Sequence, residues 1–205
     1  MAKAFDRNEL LDAFDEIGKA AVANETQLHL AVYGGSALML ASNFRFSSED
    51  VDVSELPKPL PSWLVTTLDG IAARHGWSLD WFNDGVVFHL SRTATLTGDH
   101  LEFGSFPRHG GQPGLLVYVP SAQYMLALKL KAVRVLDPTK GRQESEDIRN
   151  LLQVLGITDP AAAVQIMGLY FPRSAEDSSK QLFLLKQIMK KPGKLDAPEY
   201  PVRNL

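Results

Sequence analysis

Apolar side chains recur along this chain with two periods, and the place where the period changes divides it. Leu10, Leu11, Phe14, Ile17 and Ala21 fall at helical spacing and predict an amphipathic helix over residues 5–23. Leu28 to Tyr33 is a short apolar run that predicts a buried strand, and Gly34-Gly35 ends it with a turn signal. Ser36 to Ala41 predicts a short helix with Ser36 near its N-terminus. Asp50 to Ser54 alternates and predicts a strand. Three prolines between positions 57 and 61 predict a loop, and Ser62 to His75 predicts a second amphipathic helix stopped by Gly76. Strands are expected at 86–90, 100–106 and 115–119, with a glycine-rich loop over 108–114. Beyond Pro120 only the helical period remains, over 121–135, 144–155, 160–171 and 180–190. The Pro-rich stretch 192–205 has no period and predicts an extended or disordered tail.

These elements describe an α/β (α+β) chain. Residues 1–120 would form a core with a mixed sheet flanked by helices, 121–191 a helical subdomain, and 192–205 the tail. A chain of 205 residues buries a substantial core without covalent staples. The absence of cysteine excludes disulfides, thiolate nucleophiles and Cys-ligated zinc. No run approaches the roughly 18 apolar residues of a membrane span. No apolar signal core follows Met1 to Arg7. A cytoplasmic location away from membranes is therefore expected. The net charge of −3 gives no global pull toward nucleic acid.

Candidate chemistry starts at Asp50 and Asp52. Residues two apart on a strand project from one face, so the two carboxylates would repel unless a cation sat between them. Val51 and Val53 would point into the core. Such an oxygen platform suits Mg²⁺ or Mn²⁺, whose other ligands are commonly substrate phosphates. Taken alone, the pattern describes a solvated edge strand more readily than a metal site. Upstream, Gly34-Gly35-Ser36 lets the backbone approach a ligand, and the free N–H groups of a helix start favour phosphate. Neither a Walker loop nor the Gly-x-Gly-x-x-Gly dinucleotide fingerprint is present.

The order of these pieces resembles the DNA polymerase β-like nucleotidyltransferase superfamily. Tyr33-Gly34-Gly35-Ser36-Ala37-Leu38-Met39-Leu40, followed by Arg45 and by Ser48-Glu49-Asp50-Val51-Asp52-Val53, is most similar to the AbiEii-type toxins and their bacterial relatives. Asp80-Trp81-Phe82-Asn83-Asp84 resembles a recurrent Trp-Leu-Asn-Asp segment of those relatives, and Lys129, Arg134 and Asp147 fall on a pattern of the helices after the core. The matched positions span about residues 28–155. The resemblance implies that Gly34, Gly35 and Ser36 hold a triphosphate and that Asp50 and Asp52 bind the metal. It also implies a third acid within 100–103, for which Glu102 is the candidate and Asp99 the runner-up.

Lys129 has a case of its own. Its neighbours at helical spacing are Met125, Ala132 and Val133, and a lysine on an apolar face calls for a partner, such as a triphosphate or an active-site carboxylate. Otherwise it snorkels to solvent. Asp147 would open the next helix, where the dipole favours an acid, and the resemblance implies a role for it at the site. Arg45 and Arg134 are candidate phosphate contacts. Lys129, Lys131, Arg134, Lys140 and Arg142 form a basic run that would meet a polyanion such as tRNA, or else a solvated face. The five histidines show no metal spacing.

The expected activity is Mg²⁺-dependent transfer of a nucleoside monophosphate from an NTP to an RNA or protein acceptor. By resemblance the setting is a toxin–antitoxin or phage-defence pair with a cognate antitoxin as partner. The alternative is a catalytically inactive nucleotide-binding or protein-interaction module on the same fold. A third acid separates the two.

Overall fold

The computed structural model describes residues 3–133, 140–190 and 193–201. A capping box starts the first helix, α1 (Arg7–Ala23): the Asp6 side chain accepts from the Glu9 N–H, and Glu9 returns the bond to the Asp6 N–H. Just before it, β1 (Phe5–Asp6) pairs antiparallel with β3 (Ser47–Ser48). The central sheet has five strands: β2 (Leu28–Val32), β4 (Val51–Ser54), β5 (Phe82–Asn83), β6 (His100–Phe106) and β7 (Leu115–Pro120). Their order is β5-β4-β2-β7-β6. The β2–β7 and β4–β5 pairs are parallel, while β2–β4 and β6–β7 are antiparallel. The mixed sheet flanked by helices is thus the expected fold class.

The alternation of side chains gives the sheet two different faces. Leu30, Val32, Val51, Val53, Val117 and Val119 point to one face and are fully or almost fully buried. Beneath them runs α1, with α3 (Ser62–His75) beside it. Gly18 permits this contact, because a Cβ there would come within 2.6 Å of the Phe106 backbone. Asp52, Ser54, Tyr33 and His100 point to the other face. Tyr124 of α5 (Ala122–Ala132) covers one end of it by packing edge-on against Tyr33 and His100. Buried Tyr124, Met125, Leu126 and Leu130 join the same apolar cluster as the sheet, so the helical part shares one core with it.

Several elements differ from expectation. Residues 86–90 form no strand: Gly85–His89 is a 3-10 helix with no buried residue. The apolar run Val86-Val87-Phe88 is therefore largely a surface feature, with Phe88 85% exposed. Gly34–Ala41 is a helix, α2, which begins two residues before Ser36 and has every residue from Ser36 to Ala41 buried. A short α4 (Leu96–Asp99) precedes β6. Helix α6 (Lys140–Val154) starts four residues earlier than the periodicity suggests. It is followed by α7 (Pro160–Tyr170), an unexpected short α8 (Pro172–Glu176) and α9 (Ser179–Met189).

The tail residues 193–201 carry no helix or strand, and they are fastened at several points. Gln153 Nε2 donates to the Asp196 carbonyl at 2.8 Å, and Asn43 bonds Ala197 and Glu199, both at 3.0 Å. Tyr200 is buried and donates to the Pro120 carbonyl at 2.5 Å. No helix among the described residues is long and apolar enough to cross a membrane.

Candidate functional site

The Gly34 turn and the Asp52 carboxylate meet. Gly34 has φ +65°, the left-handed conformation that glycine adopts without steric cost. A Cβ at this position would lie 2.9 Å from Asp52 Oδ2. The same packing brings Arg45 over Gly35, where a Cβ would lie 2.8 Å from the guanidinium Nη2 and 3.1 Å from Ser48 Oγ. Both glycines are thus required for close approach. The first N–H groups of α2 lack intrahelical partners and open beside the carboxylate.

Asp50 and Asp52 do not share a strand. Val51 is the first residue of β4, and Asp50 precedes it as an exposed loop residue. The local pull is from serines: Ser36 Oγ donates to the Asp50 carbonyl at 2.5 Å and Ser48 Oγ at 3.0 Å. Ser36 is fully buried, so its hydroxyl fastens the acidic loop to α2 rather than facing a ligand. Asp50 nevertheless remains close enough to act electrically on Asp52. Burial, followed by the Asp50 charge, raises the Asp52 carboxyl above its ordinary range. A hydrogen bond from Asn83 and the charges of Lys129 and His89 oppose that rise.

Lys129 and Asp147 form the second half of the site. Lys129 reaches inward rather than to solvent, and its Nζ donates to Asp147 Oδ2 at 2.8 Å. The side chains are 13% and 3% exposed. Arg45 Nη1 lies 3.8 Å from the same oxygen, too far for a hydrogen bond. Arg45 Nε and Nη1 are buried with no hydrogen-bond partner among the described residues. Nη2 and Nε lie beside Gly35, while Nη1 faces the Asp147 carboxylate as an ion pair without a hydrogen bond.

The third carboxylate is elsewhere. Glu102 sits on β6, level with Tyr118 and Ala31, whose partner on β4 is Ser54. Three strand spacings separate β6 from β4, a lateral distance of about 14 Å. Glu102 is exposed there, and it cannot join Asp52 around one ion. Asp99 is no substitute, since it accepts from the Thr95 N–H at 2.7 Å and from the Tyr170 hydroxyl at 2.9 Å. The place level with Asp52 on β6 is held by His100, which is linked to Tyr33 Oη at 2.9 Å. Among the described residues no group of three His, Cys, Asp or Glu side chains is arranged to hold a metal.

Asn83 is the neighbour that sequence reasoning left without a role. It pairs in parallel register with Asp52. The Gly85 N–H donates to Asn83 Oδ1 at 3.0 Å and Nδ2 donates to the Asp80 carbonyl at 3.5 Å, while the Asn83 amide lowers the Asp52 carboxyl against the effect of burial. Its segment was visible in the sequence as a resemblance, but nothing in the spacing placed it beside Asp52. The other candidates separate. Lys131 turns away, donating to the His89 carbonyl at 2.8 Å and lying 4.3 Å over the Phe171 ring. Arg134 lies outside the described residues, as does the Lys140 side chain. Lys129 and Lys131 of the basic run thus turn to different partners.

Asp50 and Asp52 are the two carboxylates left near the Gly34 turn, and the Asp50 charge acts on Asp52. No family model, no curated protein and no solved structure matches the chain.

Proposed function

We propose that the chain is a nucleotidyltransferase that binds an NTP with Mg²⁺ between the α2 turn and Asp52 and passes the nucleoside monophosphate to a hydroxyl acceptor. The observation that carries this reading is the meeting of the α2 turn with Asp52, where a Cβ at Gly34 would fall 2.9 Å from the carboxylate, with the Arg45 guanidinium packed over Gly35. Phosphate oxygens would meet the N–H groups of Gly34 and Gly35 at the start of α2, with the Arg45 charge behind them. Lys129 adds a fixed positive charge, held in place by Asp147. Asp50 and Asp52 would hold a divalent cation, which supplies charge neutralisation at the phosphate oxygens. In the transfer a bond forms between the acceptor oxygen and the α-phosphorus, the α–β bridge breaks, and pyrophosphate leaves. The hydroxyl proton departs to solvent. The resemblance to AbiEii-type proteins suggests an RNA or protein acceptor and a cognate antitoxin partner.

The position of Glu102 favours a second reading, in which the same cleft binds nucleotide without transferring it. Labelled NTPs with Mg²⁺ and cellular RNA or protein separate the two. Label transfer by the wild type and its loss in Asp52→Asn support the transferase. NTP binding without transfer supports the binding module. Absence of any Mg²⁺-dependent NTP binding sinks both.

A further inference from the structure

A cavity of about 420 Å³ opens between the loop after α2 and helix α6, in the size range of small-molecule sites. Phe44 and Phe46 of the loop line it from one side. A polar stripe of α6 that includes Asp147 and Asn150, residues one turn apart, lines it from the other. Lys194 and Leu195 of the tail complete the lining. The tail is held there by Asn43, itself a lining residue, whose Nδ2 donates to the Ala197 carbonyl at 3.0 Å, and by Gln153 on the Asp196 carbonyl at 2.8 Å. The cavity is distinct from the phosphate turn. The buried Asp147 and Arg45 side chains stand between the two, so a ligand here is a separate molecule.

The charges around the cavity do not cancel. Its two acids are both paired, Glu146 with Arg149 at 2.6 Å and Asp147 with Lys129 at 2.8 Å. Its cations Arg142 and Lys194 are exposed and make no ion pair among the described residues. The uncompensated charge is positive and favours an anion. Phe46, 67% exposed, adds an aromatic surface against which a planar group stacks. Asn150 adds a third requirement. It is 5% exposed, and its Oδ1 has no hydrogen-bond partner among the described residues. A buried amide oxygen without a donor costs stability. A half-turn of the amide exchanges its oxygen and nitrogen, so the oxygen can meet a donor in the cavity. We propose that this cavity binds a small planar heterocycle that carries a ring N–H and an anionic group. The anion meets Arg142 and Lys194, the ring lies against Phe46, and the N–H donates to the Asn150 amide. This site stands whether or not the Gly34 turn binds a nucleotide.

Calorimetric titration of the full chain tests it. Orotate and indolecarboxylate combine a planar ring, an N–H and a carboxylate. Uracil and indole lack the charge, benzoate lacks the N–H, and acetate lacks the ring. At least one of the two complete acids is expected to bind about tenfold or more tightly than every control. Phe46→Ala, and Arg142→Gln combined with Lys194→Gln, change exposed positions and are each expected to remove that advantage. Asn150→Leu is expected to remove it as well while keeping or raising Tm, because it deletes an unsatisfied amide from a buried position. Asp52→Asn is expected to leave binding unchanged. The proposal is overturned if neither acid outbinds the controls, or if the advantage survives Phe46→Ala or Asn150→Leu. It is also overturned if Asp52→Asn abolishes binding, which would place the ligand at the phosphate turn.

Discussion

Burial and the Asp50 charge raise the Asp52 carboxyl, and the neutral Asn83 amide beside it opposes the rise. Replacing Asn83 with aspartate sets a third carboxylate in register with Asp52. At an effective dielectric of about 20, two carboxylates about 5 Å apart repel by about 3 kcal/mol. Asn83→Asp is therefore expected to melt several degrees below wild type in metal-free buffer and to regain most of the loss on Mn²⁺ addition. A thermal melt across a Mn²⁺ titration measures this, and a melt that Mn²⁺ leaves unmoved would remove the metal from the site. His100 makes a second prediction. Burial holds its pKa below the usual histidine value, so the folded state keeps the ring neutral. Thr95 O can only accept, so Nδ1 carries the proton and Nε2 accepts from Tyr33. The unfolded chain binds the extra proton first. Stability is full above the unfolded pKa of about 6.5 and falls as pH drops below it, by up to about 1.4 kcal/mol per pH unit. Urea unfolding between pH 7.5 and 5.5 is expected to show this slope in wild type and a shallower one in His100→Gln.

Among the elements, α5 and α6 are tied across the site by one buried ion pair. Ser121 caps α5 by accepting from the Tyr124 N–H, and the helix then directs Lys129 toward the α6 stripe. Removing one partner leaves an uncompensated buried charge, which costs about 3–5 kcal/mol. Asp147→Asn is expected to lose that much in urea unfolding, because it strands both Lys129 and Arg45. The double change Lys129→Met with Asp147→Leu is expected to recover part of the loss, since only Arg45 then lacks its counter-charge. If Asp147→Asn unfolds like wild type, the pair contributes little to holding α5 against α6. Helical periodicity identified both helices and singled out Lys129 as a lysine needing a partner. It could not name Asp147 as that partner, because the pairing depends on how two helices cross.

At the scale of the whole molecule, the last described segment closes the structure. The Tyr200 hydroxyl reaches Pro120 at the end of β7, and Asn43 grips the backbone at Ala197 and Glu199. Tyr200→Phe keeps the buried ring and removes one hydrogen bond, an expected loss of about 1 kcal/mol, or about 2–4 °C in Tm for a chain of this size. An unchanged Tm would show that the contact does not stabilise the fold. The tail illustrates a limit of pattern reading: it has no period because it forms no regular element, and absence of period does not distinguish a free segment from one fastened through individual side chains. Local pattern sufficed for α1, α3, β2, β7 and the Gly34 turn, because turn residues and the two apolar periods act within a few neighbours. It misread Val86-Val87-Phe88 as a strand, since a short apolar run is compatible with either a buried strand or a surface turn. Asp50, Asp52, Lys129 and Asp147 were legible as residue types that need partners. Which partners they have was decided by strand order: it set β5 beside β4, bringing Asn83 to Asp52, and it set β6 three strands away, taking Glu102 out of reach. Sequence alone determined the two faces of each element. The tertiary structure decided which faces meet, because strand order and helix crossing are set by long-range packing that no local period encodes.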